Sequence, residues 1–290
     1  MLQLSLSNVI EPPPLGGQLL KWIGSKHRVA GEIAAYFPRG FETYIEPFLG
    51  SGALMARVAP PRGLGGDRFG PLVEIWKSLA SDPDTLKRWY ARWWCRIQAV
   101  GKKGAYAECL ASYNRAPNGA DFVFLCRACY GGVVRFRKAD GFMSTPCGIH
   151  DPISPESFAS RVDNWHLRLR TCEFFHTDYR ELMQRAGLGD LIYCDPPYVH
   201  SQAILYGAQA FRLDELMTEI VLAKERGARV ALSIDGSKKS GLTDCPIEIP
   251  SGVFEREISI NCGRSMLRRF QMEGETGENE LVADRLLLTY

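Results

Sequence analysis

The chain has 290 residues, 46% of them apolar, and a formal net charge of +2. That length gives one large domain or two ordinary ones with a real core. The absence of any long unbroken apolar run excludes a membrane-spanning helix. The charge is unevenly spread: from Leu86 to Lys138 stand eleven Lys or Arg against two acids, Glu108 and Asp121. Such a basic stretch marks either a polyanion partner or a solvated helix face.

In chain order, residues 1–18 read as a loose arm, with Glu11 and three prolines and no basic, apolar leader. The nine cysteines are irregularly spaced and read as reduced thiols of a cytosolic protein. Cys126 and Cys129 form a lone CxxC without a second pair, so packing is expected there and no metal site is assigned. "KHRVAGEIAAYFP" (26–38) has apolar residues at helical spacing and ends at a proline, so a helix is predicted. "TYIEPFLGSGAL" (43–54) reads as strand, glycine turn and helix start. "GLGGDRFGPLVEIWKSLA" (63–80) repeats that plan and ends its strand near Asp67. Residues 83–113 read as helix, with Trp89 and Trp93, and Tyr90 and Trp94, on shared faces as core packing. "VVRFRKADGFMSTP" alternates and contains Asp140-Gly141, a dipeptide of tight hairpins. Further strands are predicted near 174, 190 and 229, a helix over 213–226, and a last strand in "ELVADRLLLTY".

Strands alternating with helices imply an α/β fold, a mostly parallel sheet with helices on both faces. In such sheets ligands sit beyond the carboxyl ends of the strands. Those ends carry Glu46, Asp67, Asp178 and Asp195. Gly50 and Gly52 let the backbone approach a ligand. Asp67 is placed to take ribose hydroxyls, and Asp178-Tyr179 an aminopurine edge. Together they describe a pocket for a nucleoside without phosphates.

"YCDPPY" (193–198) ends a buried strand in an acid, two prolines and an aromatic ring. The prolines stop the strand, because neither has an N–H to give. An aromatic exocyclic amine is a poor nucleophile, its lone pair being delocalised into the ring. Two acceptors aimed at its hydrogens, Asp195 and the carbonyl of Pro196, would draw it toward a tetrahedral shape. The rigid Pro196-Pro197 turn fixes the second acceptor, and Tyr198 offers a face for stacking. The attacked group would be the methyl of a sulfonium.

These motifs resemble the Dam-like DNA adenine-N6 methyltransferases, in the group whose recognition region sits in mid-chain. The likeness runs from Lys21 to near Tyr290. "LKWIGSK" resembles the family's N-terminal cofactor motif, implying Trp22 and Lys26 near S-adenosylmethionine, with Lys26 facing its carboxylate. "YIEPFLGSGAL" resembles the glycine motif and implies Glu46, Pro47, Phe48, Gly50 and Gly52 around that cofactor. "GDRFGPLVEIW" presents Asp67, "HTDYREL" presents Asp178 and Tyr179, and Asp195-Pro196-Pro197-Tyr198 is the catalytic tetrad. The resemblance implies a Rossmann-like methyltransferase fold, a mostly parallel seven-stranded sheet with an antiparallel last strand. It divides the chain into a catalytic domain (19–81 and 166–290) and an inserted, mainly helical target-recognition domain (82–165) bearing a β-hairpin.

It also implies duplex DNA as partner, a flipped adenine, a cytoplasmic location on the nucleoid, and a possible cognate restriction endonuclease. Lys21, Arg88, Arg92, Tyr130, Arg135 and Arg137 are the expected DNA-facing residues, with Lys87 and Arg96 on the same phosphate track. Arg135 is expected at a guanine edge and Tyr130 as a stacking wedge. Arg137 and Lys138 are expected at phosphates or as solubilising charge. Gly131 stands where relatives reading GATC often carry Asn. The stretch "NCGRSMLRRF" and the tail are given no role. Alternatives are cytosine-N4 or RNA methylation, which favour Ser or Asn in place of Asp195, and a silent DNA-binding regulator, which would show a broken tetrad.

Overall fold

The computed structural model describes residues 14–197, 211–238, 243–244, 249, 251–264 and 281–290, so Tyr198 lies outside the described residues. Strand β1 (Tyr44–Glu46), β2 (Gly63–Asp67), β3 (Cys172–His176), β4 (Leu191–Cys194) and β5 (Arg229–Lys238) pair in parallel. They correspond to the five runs the sequence marks. The two-residue β6 (Thr243–Asp244) pairs with the far end of β5. Strand β8 (Leu281–Leu288) runs antiparallel between β5 and β7 (Arg256–Arg264). The main path is therefore β3-β2-β1-β4-β5-β8-β7, seven strands with a single reversed one.

Alternation along the strands explains why both faces are covered. Successive side chains point to opposite faces. Tyr44, Leu191, Tyr193, Leu286 and Leu288 join one buried cluster, and Ile45, Ile192, Cys194 and Leu287 the other. The first cluster packs under α3 (Gly70–Ser81), α5 (Gly119–Ala128) and α6 (Pro155–Leu169), where Trp76 stacks on Trp165 at 5.8 Å. The second lies under α7 (Tyr179–Met183) and α8 (Leu213–Glu225). Burial on both sides is what a parallel sheet requires.

The helix predicted over 26–38 is split into a 3-10 turn at Lys26–Arg28 and a short α1 (Ala30–Ala34). The Ser25 hydroxyl accepts from His27 N, and Val29 N donates to Lys26 O, which closes the turn after three residues. Helix α2 (Ala53–Val58) follows β1, and α4 (Pro83–Arg115) breaks at Gly101, whose φ is 73°. The domain limit read at 165–166 falls inside α6. That helix stacks Phe158 on Tyr90 of α4 at 4.1 Å, and its other half carries Trp165 onto α3.

The arm at 14–18 is not loose in its described part. Gln18 O accepts from Arg127 and Arg161, and Gly17 O from the Trp165 indole. These long-range bonds leave no local sequence signal.

The mid-chain hairpin exists as two antiparallel bridges, Cys129 with Cys147 and Phe136 with Met143. Its tip is not a two-residue Asp-Gly turn. Arg137 N bonds Phe142 O across a four-residue loop, and Gly141, at φ 71°, closes it. The Asp140 carboxylate accepts from Phe142 N and pairs with Arg137, which selects the longer loop.

Cys126 and Cys129 are buried in the first cluster, and the eight described cysteines are free thiols. Among the described residues no group of metal-ligating side chains forms and no helix is long and apolar enough to cross a membrane.

Candidate active site

Neighbouring crossovers leave β1 and β4 in opposite directions, and their carboxyl ends open into a cleft. This is where an open α/β sheet binds its ligand. Glu46 ends β1, Asp67 ends β2, Asp178 follows β3 and Asp195 follows β4, and all four line the cleft. Trp22, Lys26, Pro47, Phe48, Gly50, Tyr179, Pro196 and Pro197 line it too. Four strands distant in sequence thus deliver one wall of acids and rings.

The glycine turn is shaped by its neighbours. Gly50 has φ 47°, and a Cβ there would stand 3.2 Å from the Trp22 indole nitrogen. Gly50 N donates to Asp67 Oδ2 at 3.0 Å, and Phe69 N to Asp67 Oδ1 at 2.9 Å. Asp67 therefore ties the turn to β2 while keeping lone pairs toward the cleft, since a carboxylate accepts about four hydrogen bonds. Burial pushes its pKa up, and these backbone donors hold part of that rise back. Gly52 departs from the expectation. It does not line the cleft; its φ is 58°, and a Cβ would meet the Trp76 ring at 3.2 Å. It is held by packing at the start of α2.

Asp178 caps α7, accepting from Arg180 N at 3.1 Å, and Arg68 stands 3.6 Å from its other oxygen. Tyr179 is stacked on Phe48 at 5.0 Å. Its hydroxyl is buried and has no hydrogen-bond partner among the described residues. Glu46 is only 2% exposed. Burial pushes its carboxyl up to about 8, although the Tyr44 hydroxyl, donating at 2.6 Å, works the other way, and nearby Asp195 adds to the rise.

Lys26 does not sit as expected from a cofactor-facing role alone. Its Nζ is 2.8 Å from Asp195 Oδ1 and 3.5 Å from Asp284 Oδ2. Burial alone would lower its pKa, but the two carboxylates outweigh burial and raise it. Sequence reasoning missed Asp284, in the tail given no role. The signal was present: in "LVADRLLL" the acid shares its face with Leu286 and Leu288, which are fully buried.

The expected DNA-facing residues separate into two groups. Lys21 lines a second hollow with Arg127, Gly131, Gly132 and His150, and this hollow shares Trp22 and Ile23 with the cleft. Tyr130 and Arg135 are exposed on the hairpin beside it. Arg137 is paired with Asp140, its guanidinium 5.3 Å from the Phe142 ring. The α4 residues lie away from both hollows, among other charges and rings. Lys87 pairs with Asp84 and Asp163, Arg88 with Asp82, and Arg96 with Glu108. Arg92 lies over Trp93. Asp82 and Asp84 stand just ahead of the basic window and Asp163 well beyond it, so counting within it overstated the free charge.

Residues 22–238 match the model of the D12 class N6 adenine-specific DNA methyltransferases. The chain belongs to this family. A DNA N-6-adenine-methyltransferase of Escherichia phage P1 is 27% identical over 76% of this chain, a match covering 30% of the phage protein's own length. A DNA adenine methylase of Vibrio cholerae is 26% identical over 74% of this chain and 79% of its own. A retron Ec67 DNA adenine methylase from Escherichia coli is 27% identical, covering 62% and 63%. Membership of this methyltransferase family implies a methyl donor, and DNA as the acceptor.

Proposed function

We propose that this methyltransferase moves a methyl group from S-adenosylmethionine to N6 of an adenine turned out of duplex DNA into the cleft. The observation that supports the reading is the meeting of Asp195-Pro196-Pro197 with Glu46, Asp67, Asp178 and Lys26 around one cavity. The cleft is lined by rings, glycine backbone and carboxylates, the mixture of apolar wall and few polar groups typical of a small-molecule site. The unpartnered Tyr179 hydroxyl, the Phe48–Tyr179 stack and the carboxylates at strand ends suit an aminopurine and a sugar diol. When bound, the donor supplies a methyl group already carried on a cationic sulfur.

Asp67 would hold the ribose and Asp178 the purine amine, with Trp22, Pro47, Phe48 and Gly50 forming the surrounding wall. Asp195 and the Pro196 carbonyl would accept the two N6 hydrogens, localising the nitrogen lone pair toward the methyl carbon. Lys26 would hold Asp195 in orientation through its 2.8 Å contact. Asp195 and the Pro196 carbonyl would hold N6 as it took the methyl group, the electron pair of the broken bond being left to the donor, and N6 would then release one proton to water. Unstacking the base costs a few kcal/mol, offset by pocket contacts.

Residues 82–165 would serve as target-recognition region, with Arg135 reading a base edge and Tyr130 as a wedge. Lys21, next to the cleft, fits a phosphate contact better than Arg88 or Arg92. The test is tritiated methyl transfer to duplex DNA and to RNA, followed by nucleoside analysis. N6-methyladenine in duplex DNA is expected. Label only in N4-methylcytosine, only in RNA, or nowhere would overturn the reading.

A further inference from the structure

We infer that Asp284, on the last strand, is a positioning residue for methyl transfer: it shares the Lys26 ammonium with Asp195, so that Asp195 stays a strong acceptor for the incoming amine. The inference rests on the function proposed above and concerns the chain's own charges.

The geometry is that of one cation between two anions. Lys26 Nζ is 2.8 Å from Asp195 Oδ1, 3.5 Å from Asp284 Oδ2 and 3.4 Å from Gly24 O. An ammonium has three N–H donors, and these acceptors all stand within 3.5 Å of it. The side chains of Lys26 and Asp284 are 8% and 6% exposed, and that of Asp195 is 19% exposed toward the cleft. Charges this far from water interact strongly and are costly when uncompensated.

With Asp195 as sole counter-ion, the whole cation would be spent on the group that must accept from the amine. A hydrogen-bond acceptor whose charge is cancelled attracts an N–H less. Asp284 takes part of the cation, and the trio keeps one net negative charge beside the position where positive charge grows on N6. That is electrostatic preorganisation supplied from a second layer. The fold explains why the acid comes from so far along the chain. β8 inserts antiparallel between β5 and β7, pairing Asp284 with Asp235 and Ile260 across the ladder. This register carries residue 284 over the sheet to the turn at Lys26.

A double-mutant cycle tests it with Asp284→Asn, Lys26→Met and the pair together. In the otherwise native protein, Asp284→Asn should lower kcat by about 10- to 100-fold, the size expected for losing one interaction with a charged group. The dissociation constant for S-adenosylhomocysteine should stay near the native value. In the Lys26→Met background the two buried carboxylates lose the cation they share. There the same Asp284→Asn change should leave kcat unchanged or raise it, and should raise the Tm of the ligand-free protein.

That reversal of sign is the signature of action through Lys26. Equal losses of kcat and Tm in both backgrounds would mean a merely structural role and overturn the inference. An active native protein whose Asp284→Asn variant keeps its kcat overturns this inference alone. A native protein that transfers no methyl to DNA adenine overturns the functional reading first, and the catalytic half of this one with it.

Discussion

Glu46, Asp67, Asp178 and Asp195 stand on four separate strand ends and meet in one cleft. Lys87, Arg88, Arg96 and Lys102 stand close together in sequence, yet each is paired with an acid. The two regions show when a cluster of charge signals function. At the sheet rim the topology forces acids together despite the cost of burying them, and backbone donors, Lys26 and Arg68 offset that cost. On α4 an exposed face recruits whatever acids lie near, and such surface pairs contribute little. Residues crowded in sequence are thus weaker evidence than residues crowded by topology.

The sharpest way to break this comparison is Asp195→Ala. It should lower kcat by about 1,000-fold or more, the scale for removing a preorganised group at the reacting centre. Calorimetry should show cofactor binding largely retained; undiminished turnover would remove Asp195 from catalysis. Asp67→Ala should raise the dissociation constant of S-adenosylhomocysteine about 10- to 100-fold, from hydrogen bonds to a charged group worth roughly 1.5–3 kcal/mol. An unchanged constant would leave Asp67 as a clamp on Gly50 alone.

Arg135→Ala should relax sequence preference at one base pair by about 1–3 kcal/mol. Mapping methylated adenines would show it, and an unaltered motif would assign that base to another residue.

Glu46 tests the burial of the rim. Its carboxyl moves from an ordinary 4.5 to about 8 in the folded protein. Between those values the folded state keeps a proton that the unfolded chain has lost, so stability falls as pH rises across the window and levels off above it. Glu46→Gln should flatten that part of the Tm profile of the ligand-free protein; parallel profiles would break the assignment. The smallest effect is expected on α4. Arg96→Ala should change neither the salt dependence of DNA binding nor stability by more than about 0.5 kcal/mol. A salt slope lower by about one would return Arg96 to the phosphate track.

Much of the site was legible because it depends on local rules. A strand needs an apolar run, two prolines must end it, and a parallel α/β sheet places its ligand beyond that end. So the stretch "DLIYCDPP" already located β4, its terminus and the acid at the rim. The glycine turn was half legible: Gly50 lines the cleft, whereas Gly52 answers to Trp76, a ring on another helix. The hairpin was legible as alternation, but its loop length was decided by Asp140 reaching Phe142 N and Arg137.

The sequence by itself determined the five parallel strands and the last strand, though not β6 or β7, as well as which ends carry acids and the family those motifs resemble. These follow from side-chain alternation, proline and glycine stereochemistry, and short-range spacing. Only the tertiary structure decided that Lys26 lies between Asp195 and Asp284, that Gln18 is bound by Arg127 and Arg161, and that Lys87, Arg88, Arg96 and Lys102 are paired. The reason is range: a charge selects its partner by distance in space. The antiparallel insertion of β8 sets that distance for residues more than two hundred positions apart.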